Sequence, residues 1–494
     1  MQRTFLIALL FCLSVAGAAR EAPPGRSSSP TTTKAKKTPV ATSVLPVTTA
    51  SAQARALYRQ AMTESMNFHL DRALAKWRDA VKLDSDFALA NLMIAFRTQD
   101  PKEAKAALRR ANAAVRKATD GERLFVRWVT GIREGNFVTG IAAMNDLMAM
   151  YPRDKQMLSL AGNWLMVRSS YDRAADLLNR ALAVDPNYPP ALNSAAYAYA
   201  QMGDFTKAIG LIRHYAEVIP NEPNAQDSYA EILRLAGKFD EAIEHYRAAL
   251  KMAPGFSIMG LADTYALKGD EAKARAEYTR CQEQAEMSED RILCHLQYPI
   301  TYVWEKNYRA ADEAFEATAK WAHQHDLGFA EAQAHRMMAE YQPDDPAALK
   351  HLERAAVALG EHASVSKSDH EDEMARILRW RVVRASHAGN RVLAAKALQE
   401  LETMANAQQS EMVQRSYHAA MGAELIDEGK PAEAIPHLGE DVKDAFSMAL
   451  LVKAYEQTDD KNGAAAERVE LIDQHIPTIE NALVAPTFRS RARQ

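Results

Sequence analysis

KQMLSLAGNWLMVRSSYDRAADLLNRALAVDPNY (155–188), PPALNSAAYAYAQMGDFTKAIGLIRHYAEVIPNE (189–222) and PNAQDSYAEILRLAGKFDEAIEHYRAALKMAPGF (223–256) are three consecutive segments of 34 residues that share their landmarks. Each ends around a proline, Pro186, Pro220 and Pro254, and Pro152 stands one step earlier. The same step joins Phe137, Tyr171, Phe205 and Phe239, and it joins Gly140, Ala174, Ala208 and Ala242, so a whole structural unit recurs. A period of this length belongs to stacked helix pairs, none of which buries its apolar face alone. The eighth position holds only Gly162, Ala196 and Ala230, which predicts a close approach of the two helices in each pair. Proline near the end of each unit stops the second helix, because it lacks the amide hydrogen that the next helical bond needs.

These residues carry a resemblance to the tetratricopeptide-repeat family. The run Pro189 to Pro254 looks more narrowly like the repeat arrays that follow kinase or winged-helix domains in bacterial signalling proteins, although this chain has no such domain. The resemblance implies an all-α fold, a right-handed superhelical solenoid of antiparallel helix pairs, whose first helices line a concave groove for proteins or peptides. The family's groove positions fall on Asn163, Asn193, Tyr197, Gln201, Asp227, Glu231 and Arg234. Amides, a phenol and mixed charges at successive turns suit the backbone of an extended peptide. Any solvated helix face has a similar composition, and both readings stand. Ser159 occupies a place where the family's carboxylate clamp has a lysine, so that clamp is not implied here.

Outside the regular centre, most marked at 121–256, the pattern loosens. A first pair from Ala54 has Ser85 where later units have proline, and a second breaks at Asp100-Pro101. Beyond Gly255 the expected units are 257–288, 289–327, 328–361, 370–409, 411–444 and 445–476, giving ten to twelve pairs over 54–476, with a polar loop from Gly360 to Glu373. Residues 477–494 read as a terminal cap with a frayed basic tail containing Arg489, Arg491 and Arg493.

The N-terminus has a different character. Arg3, an apolar run from Phe5 to Ala16 and the small residues Ala16-Gly17-Ala18 predict a cleaved secretory signal over 1–18. Cys12 lies inside the apolar run behind the bulky Phe11, which disfavours a lipidation site. Residues 19–53 are rich in Ser, Thr, Pro, Ala and Lys and read as a disordered linker, with Lys34, Lys36 and Lys37 either simply solvated or meeting an anionic surface. No later stretch is apolar enough to span a membrane, so the expected mature chain is periplasmic or secreted.

A formal charge of -4 from 60 basic and 64 acidic residues gives no nucleic-acid footprint. No phosphate loop, nucleophile elbow, HExxH helix or CxxC pair occurs, so no cofactor or catalytic residue is expected. Seven of the 14 histidines fall between His323 and His387. His323 and His325 stand two apart, on nearly opposite sides of a helix, with no acidic or histidine partner at i+3 or i+4 in both directions, and no metal site is expected. Cys281 and Cys294 lie near the facing ends of adjacent helices, leaving open a disulfide or two buried thiols. The functional expectation is an exported scaffold or adaptor. The alternatives are a sensory module reporting to a membrane partner, or a wall-modifying enzyme using paired acids such as Asp227 and Glu231.

Overall fold

A computed structural model describes residues 44–492 apart from 67–68, 99, 134–135, 286–287, 362–365 and 408–409. Helix follows helix throughout, with 25 α-helices among the described residues: twelve consecutive antiparallel pairs and one further helix, Ile479–Ala492. The twelve pairs reach the upper end of the expected range. The chain divides into two compact units, Met1–Pro220 and Asn221–Gln494.

Unit 1 contains five pairs, from Ala52–Met66 with Leu70–Leu83 to Pro189–Gln201 with Phe205–Val218. Its small residues do what their positions require. A Cβ on Gly162 would stand 2.8 Å from Cγ of Leu178, so only glycine lets Lys155–Val167 lie this close to Tyr171–Val184. Ala174, Ala196 and Ala208 are fully enclosed, and Leu178 and Ile212 fill the seams between them. The turn inside the last pair passes through Gly203 at φ +77°, while Ser169 holds the matching left-handed position in the preceding pair at φ 53°. A side chain there costs about 1 kcal/mol that glycine avoids. Asp204 then caps Phe205–Val218 by accepting from the Lys207 amide at 3.1 Å.

Residues 44–51 correct the last part of the expected linker, whose residues 19–43 lie outside the described ones. Asp84, Glu122 and Asp154, in three successive junctions of unit 1, tie this strap down. The Leu45 amide donates to Asp154 at 2.7 Å, the Thr48 amide and hydroxyl each donate to Glu122 at 2.7 Å, and the Ala50 amide donates to Asp84 at 2.9 Å. Leu45 is buried and the first helix begins at Ala52. The side-chain pattern of the strap, Val44 to Ser51, conceals this docking because its backbone amides make most of the contacts. The predicted signal segment, 1–18, lies outside the described residues.

Unit 2 contains seven pairs, from Pro223–Leu235 with Phe239–Met252 to Ala445–Gln457 with Lys461–Ile472, followed by Ile479–Ala492. The expected unit borders match these pairs closely, but the long polar loop does not. Asp345–Glu361 runs through Gly360 and the next helix starts at Lys367, capped by the Ser366 hydroxyl. Cys281 and Cys294 are joined in a disulfide between Glu271–Gln284 and Ser288–Trp304, with Cα atoms 6.1 Å apart.

Candidate functional site

Three groove residues of unit 2 share one face of Pro223–Leu235: Asp227, Glu231 and Arg234, spaced by four and three positions. The structure buries all three. The Ser257 hydroxyl donates to Asp227 at 2.6 Å, and Arg234 donates to Glu231 at 3.5 Å. Burial alone would lower the pKa of Arg234, but the charges of Tyr246, Glu231 and Asp263 outweigh it and raise the value. Burial pushes Asp263 upward, and its carboxylate accepts the Tyr278 hydroxyl at 2.6 Å.

Arg234 also donates to the carbonyl of His475 at 3.1 Å, across 241 positions of sequence. His475 returns a bond from Nδ1 to the Leu235 carbonyl at 3.1 Å and stands edge-on to Phe239 with centroids 5.2 Å apart. A Cβ on Gly237 would lie 2.8 Å from the His475 ring, and φ there is +73°, so glycine both makes the turn and admits the imidazole. The groove face of this repeat is therefore occupied by the chain's own C-terminal segment.

The following helix extends that occupation. Ile479–Ala492 packs against the first helices Ser288–Trp304, Gly328–Tyr341 and Ala445–Gln457. Ile479 and Ala482 join the core of Leu296, Ile300, Phe315 and Met338, while Val484 and Ala485 join Met448 and Leu471. Arg489 donates to the carbonyls of Ile472 at 3.2 Å and Gln474 at 2.9 Å. This corrects the terminal cap expected from sequence, while Arg493 of the expected basic tail lies outside the described residues. The described part is an internal helix, because its alternating small and branched residues find an apolar face formed by units well separated in the chain.

Buried ion pairs line the same inner surface. Arg336 donates to Glu373 at 2.6 Å and also pairs with Glu340, and Arg379 reaches Asp444 at 2.7 Å and Asp441 at 3.3 Å. Arg415 completes the pairing of Asp441 at 2.7 Å. Burial first, and then the charge of Glu480 on the C-terminal helix, holds Glu340 well above the usual carboxylate range.

The remaining groove residues, Asn163, Asn193, Tyr197 and Gln201, belong to unit 1. Asn163 and Gln201 are half-buried, and Tyr197 is buried. Asn193 is 1% exposed, yet neither atom of its amide has a hydrogen-bond partner, and the enclosed Ser159 hydroxyl one repeat earlier also lacks one. Asp227, at the matching position in unit 2, is bonded to Ser257. Unit 1 also has a cleft of about 560 Å³ between Phe137–Met150 and Tyr171–Val184, lined by Met144, Met148, Leu177, Asp176 and Arg180.

The tetratricopeptide-repeat signature matches residues 168–232 and again residues 236–286. The chain carries tetratricopeptide repeats. The repeat matches, over 168–232 and 236–286, support a protein-interaction scaffold. Similar solved structures include MamA at 19% identity, covering 32% of this chain and 93% of MamA with a TM-score of 0.29. The Cut9–Hcn1 hetero-tetramer of the APC/C aligns at 15% identity over 81% of this chain and 76% of that one, with a TM-score of 0.38. A tetratricopeptide-repeat protein from Parabacteroides merdae ATCC 43184 aligns at 13% identity over 57% and 99%, with a TM-score of 0.34. The repeat assignment rests on the matches over 168–232 and 236–286, and these solved structures add no argument to it. No curated protein matches the chain. Among the described residues, no helix of this repeat protein is long and apolar enough to cross a membrane.

Proposed function

We propose that this repeat protein is an exported scaffold that docks an extended protein or peptide partner on the first-helix face of unit 1, without chemistry of its own. Asn193 carries the reading. An enclosed amide lacking both bonds costs about 1–3 kcal/mol, and an extended backbone that displaces the side chains over it offers the donor and acceptor that would satisfy it. Asn163, Tyr197 and Gln201 lie along the same pair of repeats. The equivalent face of unit 2 already holds the C-terminal segment and has less room for a second occupant. Asp227 and Glu231, the acids that motivate a wall-modifying activity, are buried and committed to Ser257 and Arg234.

Export is supported by the composition of residues 1–18 and by the Cys281–Cys294 disulfide, which persists in oxidising compartments. The test uses the mature chain as bait with a photo-cross-linker at Asn163 or, separately, at Met448 beneath the C-terminal helix. One stoichiometric partner trapped from Asn163, and weakened about tenfold or more by Asn193→Ala, is the expected result. Trapping from Met448 alone, or turnover of wall polymers by the purified chain, would contradict the proposal.

A further inference from the structure

Three successive helices of unit 2 bring together Glu316 from Tyr308–Gln324, His335 from Gly328–Tyr341 and His351 from Asp345–Glu361. One ligand atom from each lies within 4.8 Å of the other two. His335 is 1% exposed, and Nδ1 of both His335 and His351 is enclosed without a hydrogen-bond partner. Buried imidazole nitrogens ordinarily find a partner, so two unsatisfied rings beside one carboxylate call for a ligand that accepts lone pairs. The rings are tilted by 31° with centroids 5.7 Å apart, a ring contact that gives neither Nδ1 a hydrogen-bond partner.

We infer that Glu316, His335 and His351 form a binding site for a zinc-class divalent cation that staples two neighbouring helix pairs. Two imidazoles and one carboxylate are a donor set that Zn²⁺ takes readily, with water completing the tetrahedron. Ligands about 2.1 Å from a tetrahedral ion stand roughly 3.4 Å apart, so the three side chains close by about 1 Å on binding. Arg354 is the built-in competitor. Its guanidinium donates to both oxygens of Glu316, at 2.7 and 3.2 Å, and its side chain is 50% exposed, leaving it free to swing into solvent when a cation takes the carboxylate. Asp312, the other nearby acid, is engaged by the Tyr341 hydroxyl at 2.8 Å and the Gln342 amide at 2.7 Å, and it supplies field without being needed as a ligand.

Titration of the metal-free full chain with Co²⁺, read by the visible bands of a four-coordinate ion, tests this directly, and Zn²⁺ should then bleach the signal. One equivalent is expected to bind. His351→Gln is expected to weaken binding about 100-fold, and Arg354→Gln to tighten it about tenfold by removing the competing cation. His418→Gln is the control: His418 and His437 form a separate pair with Nδ1 atoms 2.9 Å apart, and their loss should leave the titration unchanged. Arg354→Gln alters a half-exposed side chain and remains informative where a histidine variant fails to fold. Absence of a four-coordinate signal in both the unaltered chain and Arg354→Gln, or an unchanged titration in folded His351→Gln, overturns the inference.

Discussion

Unit 1 and unit 2 are built from the same helix pair, yet they treat their inner faces differently. In the regular repeats of unit 1 the helices run to 13 or 14 residues, and Asn193 and Ser159 are left enclosed and unpaired. In unit 2 the helices lengthen to 17 residues in Ser288–Trp304, against which the chain's own Ile479–Ala492 packs, and to 21 in Lys367–His387. The same repeat thus meets an internal segment in unit 2, beginning at the strictly periodic Pro223–Leu235, whereas the Asn193 amide of unit 1 meets no partner among the described residues.

The largest effect is expected from ending the chain at Asp473. Losing the burial of Ile479, Ala482, Val484 and Ala485 should destabilise unit 2 by roughly 6 kcal/mol. Denaturant unfolding should show this in the transition of unit 2 while that of unit 1 stays in place, and an unchanged unit 2 would erase the contrast. Next comes Glu373→Ala, which leaves Arg336 buried beside a vacated partner and should cost about 3–5 kcal/mol. Glu313→Ala, in the exposed pair with Arg309, should cost no more than about 0.5 kcal/mol in the same assay.

Reducing the Cys281–Cys294 disulfide releases a loop of 13 positions and should lower the stability of unit 2 by about 3 kcal/mol, with no shift in unit 1. Acid should also act on unit 2. Burial first, and then the charge of His325, lowers His295 to about 4, and burial lowers His475. Both folded values lie below the unfolded value near 6.5, so their stabilisation is complete above that pH and is lost as pH falls toward the folded value. After discounting for partial exposure, about 1 kcal/mol should be missing at pH 5, and His295→Gln should flatten the melting profile there. Asn193→Ala has an effect of opposite sign. Deleting an unsatisfied buried amide should stabilise unit 1 by about 1 kcal/mol while weakening partner capture.

The architecture was legible because packing dictates it: Gly162 against Leu178, or Ala208 beneath its neighbour, admits few alternatives. The inner face was legible only in part. Asp227, Glu231 and Arg234 share one helix face by their spacing, but nothing local announces that His475, 241 positions beyond Arg234, closes over it. The strap at 44–51 went unseen for a similar reason, since its bonds to Asp84, Glu122 and Asp154 run mainly through backbone amides spaced 34, 74 and 109 positions away. Glu316, His335 and His351 fail every helical metal motif because each stands on a different helix, and only the stacking of pairs brings them together.

Amide hydrogen exchange along Ile479–Ala492 tests the central contrast most directly. The account predicts protection comparable to that of Ala445–Gln457, against which this helix packs. Exchange at the rate of a free peptide would contradict it and return the inner face of unit 2 to the list of open docking surfaces.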